Sequence, residues 1–247
     1  MNKKRLTMHI LILAILANFS LKAACADNDF IVYSPYVVQG QSEVEAYGFN
    51  SRDSHSDLNG ATGINLSIAH AVTSWWKPEV YVGEFNRAPG GSNHPSGYEL
   101  ENTFQLTSPG EYWADIGILA SYAHNKLPGV VSNAEFGPLF EKISGHIDQR
   151  LNLIWGKQIG GGASGAYPFR AAYSINYNVH SEKVAYSPGI EAYYRPGDHA
   201  YQIGPVFSGE LRTDKGSELE YGLGMVFGIN PGAPDKTLLA RLEFEFF

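Results

Sequence analysis

The residue types able to act as nucleophile and base are few in this chain and poorly placed for hydrolysis. His180-Ser181 falls in a turn between predicted strands, and Ser54-His55-Ser56 sits on a polar loop beside Asp53 and Asp57. A serine hydrolase needs a hydroxyl in reach of an imidazole that a third group orients, and neither stretch supplies that set at a suitable place. The Asp53–Asp57 cluster reads as a solvated loop with at most weak affinity for a metal. His55, His70, His94, His124, His146, His180 and His199 show neither H-x-x-x-H nor H-E-x-x-H spacing. GGGASG at 160–165 lacks the lysine and the strand-to-helix setting of a phosphate loop, so it reads as a flexible loop. No enzyme and no cofactor is expected.

What remains is charge, and the elements that carry it are strands. Apolar and polar residues alternate between turn signals, as they do when successive side chains point to opposite faces. Phe169, Ala171, Tyr173, Ile175, Tyr177 and Val179 alternate with Arg170, Ala172, Ser174, Asn176 and Asn178. Leu219–Ile229 and Leu238–Phe246 repeat the pattern. About twelve such segments follow one another, at 42–51, 61–72, 77–87, 97–107, 111–123, 131–142, 146–158, 168–179, 185–195, 200–211, 217–229 and 236–247. Most exceed the usual length of a soluble strand and match the nine to eleven tilted residues, roughly, that cross a bilayer. The sequence therefore predicts an all-β fold, a transmembrane antiparallel up-and-down β-barrel over 42–247.

The connections are mostly tight on one predicted rim (TSWW, TSPG, ISG, RTDKG) and longer on the other (RDSHSDLNG, NRAPGGSNHPSG, NPGAPD), which assigns the first rim to the periplasm. Trp75, Trp76, Trp113 and Trp155 fall near strand ends, where an aromatic girdle lies.

Residues 1–26 read as a cleaved secretory leader. Lys3, Lys4 and Arg5 precede an apolar run too short to span a bilayer, and Ala24-Cys25-Ala26 offers the cleavage site. Lys22 stands where a lipoprotein leader carries an aliphatic residue, which argues against lipidation of Cys25. Residues 27–41 are a periplasmic tail or the start of the first strand. The whole chain of 247 residues has a formal charge of -7, and the leader holds four bases and no acid, so -7 minus +4 leaves -11. That balance argues against a nucleic-acid partner.

If the apolar faces meet lipid, the polar faces point inward. Glu43, Glu45, Glu99, Glu101, Asp115, Glu135, Glu141, Asp148, Glu191, Glu210, Glu220, Glu243 and Glu245 then share the lumen with Arg150, Arg170, Arg195 and Arg241. Excess carboxylate inside a low-dielectric wall favours cationic or neutral solutes. The candidate lumen and constriction residues are Glu99, Glu101, Asp148, Arg150, Arg170, Glu191, Glu220, Arg241, Glu243 and Glu245, with the three arginines as the constriction. The alternative is that these arginines pair with neighbouring carboxylates and close the interior. Inward glycines at Gly117, Gly137, Gly204, Gly222, Gly224 and Gly228 suit a tightly curved wall or a residual passage.

The terminal RLEFEFF resembles the signal that barrel-assembly machinery reads on Gram-negative outer-membrane proteins, carried by Phe244, Phe246 and Phe247. YELENTFQLTSPGEYWADIGILASY, AEFGPLFEKISG and YGLGMVFGINPGAPDKTLLARLEFEF look like a family of proteobacterial outer-membrane barrels, the transporter barrels of the MetA pathway of phenol degradation. The likeness covers most of residues 40–247 and rests on strand and turn patterns. It implies a barrel and the passage of small organic solutes, and it carries over no site residue.

The expectation is a monomeric, porin-like channel in the outer membrane, passing small solutes without a cofactor, its partners being outer-membrane lipid, the assembly machinery and the solute. A closed structural or surface-recognition barrel is the second reading and an outer-membrane hydrolase the third. A secreted β-sandwich would alternate too, but with shorter strands.

Overall fold

The computed structural model describes residues 30–92, 94–95, 97–126, 130–181, 184–212 and 216–247; the predicted leader and its cleavage site lie outside them. Twelve long strands follow in order: β1 Ser42–Arg52, β2 Thr62–His70, β3 Trp76–Arg87, β4 Gly97–Gln105, β5 Asp115–Asn125, β6 Ser132–Ser144, β7 Ile147–Ile159, β8 Phe169–Tyr177, β9 Val184–Arg195, β10 Ala200–Arg212, β11 Glu218–Gly228 and β12 Lys236–Phe246. Each pairs antiparallel with its neighbours in the chain. β12 then closes on β1 along its whole length, from Ser42 opposite Phe246 to Arg52 opposite Lys236. Closure leaves no sheet edge to aggregate and satisfies the backbone polar groups within the wall, as a bilayer requires.

The two faces follow the sequence. In β2, Ile64, Leu66 and Ile68 project outward while Asn65, Ser67 and Ala69 are buried inside. In β12, Leu238, Leu242 and Phe244 face out, opposite Leu239, Arg241 and Glu243. Aromatic rings line the outer wall near both rims. Trp75 stacks on Phe104 and Trp113 on Phe140 at the rim that holds both barrel termini, and Trp155 lies between Phe136 and Phe169 towards the other.

Strand boundaries fall within a few residues of those predicted. The largest shift is β5, expected from 111 and beginning at Asp115. The chain is still turning there: Gly110 has φ 75°, the Glu111 N–H reaches the Ser108 carbonyl at 3.1 Å, and Asp115 accepts from the Gly110 N–H at 2.7 Å. The TSPG connection is therefore longer than read, spanning 106–114.

Residues 30–41 are neither a tail outside the wall nor part of β1. At Gly40, with φ 86°, the chain reverses, a left-handed conformation that favours glycine. The Gly40 N–H is tied to the Ala71 carbonyl at 2.9 Å, and residues 30–38 run back along the inside of the barrel.

At the opposite rim, two loops are clasped across the closing seam. Asp53 accepts from the backbone N–H of His55 at 2.5 Å and of Asp235 at 2.9 Å, and Asp235 accepts from the N–H of Ser54 at 2.9 Å. The His55 N–H is the main cause that holds the Asp53 carboxyl below the usual carboxylate range. A lowered pKa in the clasped state means that the clasp has its full strength above the ordinary aspartate value, roughly 3.9, and loses it as the pH falls through the lowered value. Protection of the Ser54, His55 and Asp235 amides, measured relative to their intrinsic exchange rates, is expected to fall on acidification below about pH 4, and Asp53→Asn should flatten that dependence.

Candidate functional site

The lumen is shared between the wall and the chain's own N-terminal segment. The segment has no regular secondary structure and forms no ladder with any strand. Side chains of the wall meet its polar groups instead. Gln105 accepts from the Val37 N–H at 2.8 Å, Asp115 from the Tyr36 hydroxyl at 2.5 Å and Glu141 from the Ser34 hydroxyl at 2.5 Å. Asn152, wholly buried on β7, pairs with both backbone groups of one segment residue. Its Oδ1 accepts from the Tyr33 N–H at 2.7 Å and its Nδ2 donates to the Tyr33 carbonyl at 2.9 Å. The Tyr33 hydroxyl donates to Glu101 at 3.0 Å, and the single Tyr193 hydroxyl proton lies between two acceptors, the Phe30 carbonyl at 3.0 Å and Glu191 at 2.5 Å. Gly117 leaves room for the passage: a Cβ there would stand 2.8 Å from the Cβ of Pro35.

The apolar end of the segment meets an apolar patch inside the barrel. Phe30, Ile31, Val32 and Tyr33 pack with Phe49, Leu119, Leu139, Ile154, Tyr193, Val226 and Leu239. The Phe30 ring lies 5.2 Å from Phe49 and 5.2 Å from Tyr193, with the Arg195 guanidinium 5.7 Å over its centre. This layer stands in the half of the lumen away from the barrel termini. Two signals in the sequence pointed to it. FIVYSPYVV is too apolar for a solvated tail, and Leu119, Leu139, Ile154, Val226 and Leu239 break the polar side of the alternation.

The candidate charges divide into groups. Arg150 holds Asp148 at 3.0 Å and Glu141 at 3.2 Å; Arg241 holds Glu45 at 2.8 Å and Glu243 at 3.4 Å. Arg170 reaches Glu135 at 2.7 Å. Glu99 and Glu101 are buried on β4. Glu245 accepts from Gln41 beside the turn into β1, and Lys77 is bonded to nearby Glu43 at 2.7 Å. The three arginines do not form one ring. Arg150 and Arg241 border the same open space, whereas Arg170 stands outside it with Glu135.

That space is a cavity of about 300 Å³ between residues 30–32 of the segment and the wall from β7 to β12 and on to β1. The segment hugs β4 to β7, so the other side of the lumen stays unfilled. Asp148, Glu191, Glu210 and Glu220 line it against Arg150 and Arg241, together with Ser174, Asn176 and Asn178. Of the inward glycines, Gly222 and Gly224 lie on this wall. A Cβ on Gly222 would meet only the Cβ of Arg241, at 3.6 Å, and otherwise enter the cavity.

The NanC porin superposes with a TM-score of 0.51 at 11% identity, over 83% of this chain and 99% of its own. The COG4313 outer membrane channel from Pseudomonas putida F1 superposes at 0.56 with 14% identity, over 89% of this chain and 99% of its own. The fold is that of an outer-membrane β-barrel. No family model and no curated protein matches the sequence of this barrel. The resemblance to the MetA-pathway barrels is thus upheld at the level of an outer-membrane barrel and no further.

Proposed function

We propose that the barrel is a porin-like channel of the outer membrane, passing small cationic or neutral solutes beside its own N-terminal segment. The observation that carries this reading is the unfilled, polar side of the lumen, where four carboxylates face two guanidinium groups. Passive passage needs a wetted path whose lining does not hold the solute too tightly, and an acidic lining disfavours anions. The rim bearing the barrel termini faces the periplasm in this reading, the chain acts as a monomer in outer-membrane lipid, and Phe244, Phe246 and Phe247 serve the assembly machinery. The Phe30 layer makes the resting channel narrow or closed on the outer side, so movement of the segment sets the open state. Membrane passage of solutes of the MetA-pathway kind stays within this proposal as its organic branch.

Planar-bilayer recording of the refolded mature chain tests it. Stepwise conductance with a reversal potential shifted towards that of the cation is expected in a salt gradient; silence at every voltage, with and without the segment, would overturn it. Gly222→Leu should cut the conductance by roughly half or more, because its side chain enters the path without displacing backbone.

A further inference from the structure

The β7 to β9 wall of the cavity holds acceptors that nothing in the protein uses. Ser174 is 1% exposed, borders the cavity, and its hydroxyl has no hydrogen-bond partner among the described residues. It lies directly opposite Arg150 on one side and Glu191 on the other in the strand register. One oxygen of Asp148 is likewise buried and unpartnered, its other oxygen being held by Arg150. Glu191 accepts from the Tyr193 hydroxyl at 2.5 Å and has no cationic side chain within ion-pair distance among the described residues. Around Arg150, then, stand Glu141, Asp148 and Glu191, three carboxylates to one guanidinium.

Buried acceptors without donors cost free energy unless a ligand or water supplies them. The Nε of Arg150 is also buried there without a hydrogen-bond partner among the described residues, but carboxylates outnumber that guanidinium, so a ligand suited to this corner donates several hydrogen bonds and carries positive charge. A primary ammonium has those properties: three N–H donors on one cation and no acceptor. The adjoining surface is hydrocarbon, from Phe30, Ile31 and Val32 of the segment, and the cavity is roomy enough for a small organic molecule. We propose that Ser174, Asp148 and Glu191 form a binding site for small organic cations with a primary ammonium head and a short hydrocarbon tail. The site deepens the channel reading and rests on it for its role in transport, since it gives the acidic lumen a preferred solute class.

Titration calorimetry on the refolded mature chain in detergent micelles tests the site without conduction. n-Butylammonium chloride is the probe, with tetramethylammonium chloride and n-butanol as controls at constant ionic strength. n-Butylammonium should bind at least roughly tenfold more tightly than either control, since one control lacks the N–H donors and the other the charge. Ser174→Ala should weaken it about fivefold and Glu191→Gln about tenfold or more; heat-modifiable migration verifies that each variant has folded. Equal affinity for n-butylammonium and tetramethylammonium, or binding unmoved by both substitutions, would overturn the site. Ammonium-selective binding in micelles without bilayer conductance would support the site and remove the channel reading, whereas conductance without that selectivity would do the reverse.

Discussion

A chain from which residues 30–37 are deleted is expected to insert and close as a barrel, yet to conduct roughly two to five times more than the intact protein. None of the segment's bonds to the wall belongs to an interstrand ladder. Val37, Tyr36, Ser34 and Tyr33 are held by side chains of Gln105, Asp115, Glu141, Asn152 and Glu101, and the twelve pairings remain when those partners turn to water. The loss falls on the apolar layer. Burial of side chains the size of Phe30, Ile31 and Val32 stabilises by about 1.5–3 kcal/mol each, and their removal wets Leu119, Leu139 and Ile154. Lower thermal stability with heat-modifiable migration retained is the expected companion result. The decisive measurement is single-channel conductance in the same salt, and a value equal to that of the intact chain would show that the segment does not limit the path.

Asn152→Leu should give the second large effect, by loosening the segment without removing it. The Asn152 amide is the only side chain among the described residues that pairs with both the N–H and the carbonyl of one segment residue. Leucine is close in volume but leaves the Tyr33 N–H and carbonyl without partners in a buried place, a cost of about 1–3 kcal/mol for each group left unsatisfied. A change of roughly 2 kcal/mol shifts the balance between seated and released segment about thirtyfold. In bilayer recordings the open fraction should rise accordingly, with the fully open current matching that of the deleted chain. If the open fraction is unchanged, the segment is held by its apolar end alone. Asn152→Gln should fall between, because the amide is kept but displaced along the lumen.

Strands and faces were legible in the sequence because a bilayer imposes two periodicities at once, alternation along each strand and a minimum strand length. β2 and β12 show it: their outward residues could be assigned by counting in twos. The site was less legible. An arginine assigned to the inner face of a strand is fixed in direction but not in partner, and partners come from register and reach across neighbouring strands. Arg150 and Arg241 therefore came together along one open space while Arg170 was drawn away to Glu135. The segment was hidden for a different reason. An extended stretch held by side chains instead of a ladder leaves no alternation, and its trace lay in residues such as Leu139 and Val226, apolar on a face that should be polar. Part of the acid surplus counted as lumen charge, at Glu101, Asp115 and Glu141, is occupied in accepting hydrogen bonds from that segment.

The reversal at Gly40 bears on how this protein can be handled. Because the chain turns inward there, residues 30–37 lie enclosed by the barrel. A fluorophore attached within residues 30–37 must either fit within that enclosure or draw the segment out, and in the second case it would report on an artificially opened molecule. Labels belong on the surface turns, at 160–168 for example, where they leave the seated segment undisturbed.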